Sequence, residues 1–216
     1  MDPLHFCIGV APLAVYLLMI GLLNLSSKPF VTTGARDAAA LGIGVSGLVV
    51  AGPMELFFPE GAATQFGGYV WLMLIIFYGL CVSLIVLLMR ARIVIYNLSR
   101  VQLLPALKSV AHRLDREARW AGDSLLMPNM KVHLHIEFVD WARNVQLCAG
   151  GSHQSYEGWR TLEKELRKEL STISVVPSFV GIGFLVLSGL LSLGAAVWMV
   201  SDQQAVAQAF IDMLRR

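Results

Sequence analysis

Of the 216 residues, 56% are hydrophobic and 15% are charged, and the formal net charge is +2. Soluble domains approach a quarter charged residues, so this composition excludes an ordinary soluble domain, and so small a net charge gives no footing for a nucleic-acid partner. Cys7, Cys81 and Cys148 form no Cys-x-x-Cys pair, and two of them lie in apolar stretches, which excludes a disulfide framework or zinc ribbon.

The apolar residues fall into four blocks, each long enough to cross a hydrocarbon core of about 30 Å, which takes roughly 20 helical residues. The first covers about 5–25 and carries Pro12. A secretory signal would have a basic start and a shorter apolar core; Asp2 is the charge that precedes this block, so an uncleaved span is expected. A linker with Lys28 and Arg36 leads to the second block, about 38–58, which is rich in small residues (Gly42, Gly44, Ser46, Gly47, Gly52). Small residues let helices approach closely in lipid. Glu55 is the carboxylate inside this span, and an intramembrane acid is a candidate for ion coupling or proton relay. After a turn, the third block runs from about 69 to 89, with Tyr69 and Trp71 as interfacial anchors and Arg90 and Arg92 ending it.

A polar island, 91–171, follows. Residues 92–97 alternate weakly and are β-branched, which predicts a strand; the competing possibility is that the third span continues as helix to Leu104. Pro105 opens or interrupts a helix whose Leu104, Leu107, Val110, Ala111 and Leu114 repeat at helical spacing. Residues 118–129 read as a loop, with Gly122, Asp123, Pro128 and Asn129 as turn formers and Arg119, Trp120 and Asp123 as its interesting side chains. Lys131 to Phe138 is the clearest strand: Val132, Leu134, Ile136 and Phe138 share one face, and Lys131, His133, His135 and Glu137 the other. Residues 144–149 are its expected hairpin partner. A glycine-rich turn comes next, then a helix over about 156–170 with Ser155 as N-cap and an apolar stripe of Trp159, Leu162, Leu166 and Leu170.

The fourth block, about 172–200, is again rich in small residues and ends near Trp198. The tail 201–216 places Ala205, Val206, Ala209, Phe210 and Met213 at the spacing of a short amphipathic surface helix.

The expected fold is therefore a membrane protein of four transmembrane α-helices, with a small cytosolic α+β domain (β-α-β-β-α, ferredoxin-like order) inserted between helices three and four. In domain terms, 1–90 and 172–200 are membrane region, 91–171 is the domain and 201–216 the outer tail. Lys28, Arg36, Arg90, Arg92, Lys164, Arg167 and Lys168 fall on one side of the four spans. Basic residues near span ends stay cytoplasmic, so an inner-membrane protein is expected with a cytosolic domain and both termini outside.

Three features could carry chemistry. On the strand, His133-x-His135-x-Glu137 projects two imidazoles and a carboxylate about 7 Å apart from one face, a donor set suited to zinc or iron, with His153 as an added ligand; alternation on a half-exposed sheet produces the same pattern. The turn Gly150-Gly151-Ser152 offers backbone amides to an anion at a helix start, without the Gly-Lys-Ser/Thr of a P-loop. Glu55 is the third. Serine-elbow, His-Glu-x-x-His and kinase motifs are absent. These features favour a non-catalytic membrane protein whose domain binds a partner or senses a ligand. The alternatives are a metal-dependent membrane enzyme or metal-handling protein using the histidine strand, and a small channel or transporter component around Glu55. The bilayer is the first partner. The glycine-rich second and fourth spans are candidates for a helix seam with a second copy or another membrane protein.

Overall fold

The computed structural model describes residues 3–139, 142–151, 154–204 and 206–208. Most of the tail singled out above, together with Ser152 and His153, lies outside these residues. Among the described residues, four helices are long and apolar enough to cross a membrane: α1 (Pro3–Leu25), α2 (Gly34–Met54), α4 (Tyr69–Leu88) and α7 (Phe179–Ser201). A short helix, α3 (Glu60–Phe66), lies in the turn before α4. The remaining elements are β1 (Phe30–Thr33), β2 (Arg92–Tyr96), α5 (Arg100–Leu114), β3 (Arg119–Ala121), β4 (Ser124–Met127), β5 (Val132–Val139), β6 (Asn144–Ala149) and α6 (Tyr156–Leu170). The six strands form one antiparallel sheet in the order β1-β2-β6-β5-β4-β3. The chain divides into two compact units, one of residues 1–19, 39–87 and 184–216, the other of 20–38 and 88–183.

In the first unit the helices approach through glycine. A Cβ added at Gly47 would lie 2.1 Å from the Ile8 carbonyl oxygen of α1, and one at Gly44 would lie 2.7 Å from the Tyr16 side chain. Gly42 faces Val82 of α4, and the Tyr78 hydroxyl donates to the Gly42 carbonyl at 2.6 Å. Gly44 and Gly47 of α2 thus face α1 and Gly42 faces α4, while Gly52 has nothing within 4 Å. On α7, Ser188 donates to the Ala14 carbonyl of α1 at 2.8 Å, while Gly189 and Gly194 have open space where a Cβ would stand. The end of α2, Val50–Met54, is wound as a π-helix around Pro53, whose missing N–H breaks the regular ladder.

The second unit holds the sheet. One face packs on α5 and α6 through Ile93, Ile95, Leu103, Leu107, Val110, Leu125, Leu134, Leu147, Leu162 and Leu166, all buried. Alternation along β5 places Val132, Leu134 and Ile136 inside and His133, His135 and Glu137 outside.

Residues 92–96 form the expected strand, because α4 ends at Leu88 and the β-branched run Ile93-Val94-Ile95 pairs on both edges. Three local differences from the sequence expectations have physical causes. The linker after α1 supplies β1, paired Phe30↔Tyr96 through Thr33↔Ile93; four residues are too few to announce a strand by periodicity. Residues 118–129 form the β3–β4 hairpin rather than a loop. Gly122, at φ +60°, occupies the first central position of its two-residue turn, where glycine carries no steric cost. The fourth helix starts at Phe179, later than expected. Pro177 biases the residue before it to extended backbone, and Val175 is buried in the domain core while its N–H donates to the Ser27 carbonyl at 2.9 Å.

Pro105 lies inside α5, which starts at Arg100, because Ser99 and Gln102 already organise its first turn: the Gln102 side-chain oxygen accepts from the Ser99 hydroxyl at 3.0 Å. Ser155 caps α6 as expected, accepting from the Gly158 N–H at 3.2 Å.

Candidate functional site: the open face of the sheet

With helices on one face of the sheet, the other carries the polar residues of β5 and β6 together with Val94 of β2 and Leu126 of β4. Strand register sets it out in rows. Ser124, His135, Cys148 and Arg92 lie side by side across β4, β5, β6 and β2. The next row is Glu137, Gln146, Val94 and Thr32. Near β1, residues at the start of α2 cover this face: Asp37 lies 3.5 Å from the Arg92 guanidinium and accepts from the Tyr96 hydroxyl. Val94 and Tyr96 are buried as a result. Toward β5 and β4 the face is open, and His133, His135 and Glu137 are exposed.

The two histidines do not converge. The His135 Nδ1 lies 3.1 Å from the Ser124 hydroxyl on β4, whereas the His133 ring lies over Gly150 beyond β6, about 3.1 Å from where a Cβ would stand. They turn to opposite neighbouring strands. Among the described residues no group of three or more His, Cys, Asp or Glu side chains is placed to hold a metal ion. Glu137 turns instead to Cys148. Burial pushes the Cys148 thiol above its usual range, and the adjacent Glu137 carboxylate and its hydrogen bond push it further, against the opposing pull of Arg92. Cys148 is thus held as a protonated thiol, a poor nucleophile.

The glycine turn is anchored rather than open. The Gln154 amide nitrogen donates to the carbonyls of His133 (3.0 Å) and Gly150, and its oxygen accepts from the His133 N–H (3.2 Å) and the Trp159 indole (2.9 Å). One side chain thus does for the edge of β5 what a further strand residue would do. Gly150 leaves room for the His133 ring, and Gly151 takes φ +84°, a left-handed backbone that favours glycine. Of the expected anion site only these two glycines fall within the described residues.

Glu55 lies 3.1 Å from the His5 Nε2 of α1. In the β3–β4 hairpin, Asp123 pairs with Arg100, and the Lys108 ammonium sits over the Trp120 ring at 5.8 Å. Those loop side chains tie the hairpin to α5.

Cys148, Gln146, Ser124, Arg92 and Asp37 were not singled out as candidate site residues from the sequence. The alternation Asn144-x-Gln146-x-Cys148 carries the signal for two of them, but the register that sets Cys148 opposite His135 is a matter of strand pairing that no spacing encodes. No protein-family model, curated protein or solved structure matches the chain.

Proposed function

We propose that the protein is a multi-pass inner-membrane protein without catalysis of its own, which presents an α+β domain in the cytosol and binds a partner protein through the open sheet face around His135, Glu137 and Gln146. The observation that carries this reading is the asymmetry of the sheet: two helices cover one face, while the polar face of β5 stays exposed. An exposed polar sheet surface on a rigid scaffold is suited to recognition rather than to chemistry. The protonated Cys148 and the divergent histidines favour binding over catalysis in the same way.

The pairing of β1 with β2 supports placing the linker after α1 and the domain after α4 on one side of the membrane. Phe30–Thr33 precedes α2 and Arg92–Tyr96 follows α4, so the two strands meet when the chain between them crosses the membrane twice. Lys28, Arg36, Arg90 and Arg92 are then on one side, which the positive-inside rule assigns to the cytosol, with both termini outside. The strand order fits a ferredoxin-like unit: β6 runs antiparallel between β2 and β5, with α5 in the crossover, and β1 stands where a final strand would stand.

A photo-crosslinking side chain at position 135 or 137, used in native membranes, is expected to give a discrete adduct with a partner or a second copy, and one at Ser109 on α5 none. Absence of adducts at both sheet positions would overturn the binding role of this face.

A further inference from the structure

A second surface of the domain carries a chemistry that its sheet face lacks. On α6, Arg160, Lys164, Arg167 and Lys168 fall at helical spacing on the side away from the apolar stripe of Trp159, Leu162 and Leu166. This side borders β1. Two adjoining depressions, of about 360 and 300 Å³, are lined by Arg36, Arg160, Glu163, Lys164, Arg167 and Lys168 and by Lys28, Phe30, Thr32, Arg36 and Arg167. Six cations therefore face one carboxylate. Glu163 is shared by Arg167 at 2.7 Å and Arg36 at 3.8 Å, and Arg167 also donates to the Val31 carbonyl at 3.1 Å. The carboxylate and the carbonyl hold the Arg167 guanidinium in place, whereas Arg36, 69% exposed, and the three remaining α6 cations stay directed at solvent.

The place of the groove along the chain narrows its ligand. Lys28 is three residues beyond the end of α1, and Arg36 is the third residue of α2. Three residues span at most about 11 Å, so both side chains work within reach of the ends of two apolar helices. Clusters of Lys and Arg beside a membrane helix meet the anionic headgroups of the cytoplasmic leaflet.

We propose that this groove between β1 and α6 binds the phosphate of an anionic glycerophospholipid headgroup, with Arg36, Lys164 and Lys168 as its main contacts and Arg167 as a fixed donor. The proposal rests on the membrane placement above and is independent of the role given to the sheet face.

The full chain is reconstituted into bilayer discs of equal phosphatidylglycerol and phosphatidylcholine, released, and the lipids it retains are identified by native mass spectrometry. Retained phosphatidylglycerol is expected to exceed phosphatidylcholine. The variant Arg36→Gln/Lys164→Gln/Lys168→Gln should lose this preference by roughly tenfold or more, and Arg116→Gln/Arg119→Gln/Lys131→Gln, which removes equal charge elsewhere on the domain, should keep it. In the unsubstituted protein, rising salt should erode the preference, a readout that needs no variant. Equal loss in both variants, or a preference indifferent to salt, overturns the groove as the site. Binding of inorganic phosphate by the detergent-purified protein without any lipid preference would assign the groove to a free phosphate compound and overturn the lipid. Failure of the chain to enter the discs would count against the membrane placement itself, a result distinct from entry without preference.

Discussion

Cys148 and Asp115 show how single groups in the domain are set by their neighbours. The thiol beside Glu137 is held above its usual range by burial and then by the carboxylate. Alkylation of Cys148 by iodoacetamide near neutral pH should therefore be slower than for an exposed cysteine, and Glu137→Gln should speed it several-fold by removing the charge; mass spectrometry of the modified peptide reads this directly. Asp115, 2% exposed at the end of α5, has the opposite shift. Burial alone would raise it, but the N–H groups of Glu117, Asn129 and Met130 and the Asn129 side chain all donate to the carboxylate and hold it below the usual carboxylate range. A depressed carboxylate contributes stability that is complete above its unfolded value of about 3.9 and is lost as pH falls through the lowered folded value. Asp115→Asn should cost about 1–3 kcal/mol at neutral pH and flatten this part of the acid limb. Thermal unfolding across pH in detergent tests both.

At the scale of elements, close approach decides where glycine is required. A Cβ at Gly158 would lie 2.4 Å from the Met130 carbonyl and 2.7 Å from Val132, so α6 crosses β5 at a distance only glycine allows. Helix propensity alone makes Gly→Ala favourable by about 1 kcal/mol. Here backbone overlap dominates, and Gly158→Ala should destabilise the domain by about 1–3 kcal/mol in chemical unfolding. Gly47→Ala meets the Ile8 carbonyl in the same way and should lower the melting temperature in detergent, whereas Gly189→Ala, with nothing within 4 Å to oppose helix propensity, should hold or raise it. The legible elements were those whose pattern repeats: the apolar helices, β5 with four inward and four outward positions, and α6 with its apolar stripe. Phe30–Thr33 and Arg119–Ala121 have four and three residues, too few for a period to show, and their pairing is a tertiary matter. The same limit applies to the candidate site. Spacing put His133 and His135 on one face, but their divergence depends on rotamers chosen by Ser124 and Gly150, which no period encodes.

For the molecule as a whole, the proposed topology makes sidedness measurable. In a cysteine-free background, Gln65→Cys should react with an impermeant maleimide on intact cells, and Ser171→Cys only after the membrane is opened. The converse pattern would invert the assignment of the domain to the cytosol. With the domain in the cytosol, the cationic groove and the sheet face are two separate contacts of one domain, one with lipid and one with protein.

The strand contributed by Phe30–Thr33 also has a consequence for biosynthesis. It leaves the ribosome well before the strand it pairs with, and two apolar helices must be made in between. Until Arg92–Tyr96 emerges, β1 has no hydrogen-bonding partner in the sheet, and the domain closes only after α4 is complete. A fragment of 91–171 expressed alone would leave the N–H and C=O groups of Val94 and Tyr96 unpaired along an open sheet edge, an invitation to aggregate. Supplying 26–34 on a flexible tether ahead of that fragment should restore a soluble, cooperatively unfolding domain, a gain that light scattering and circular dichroism would register.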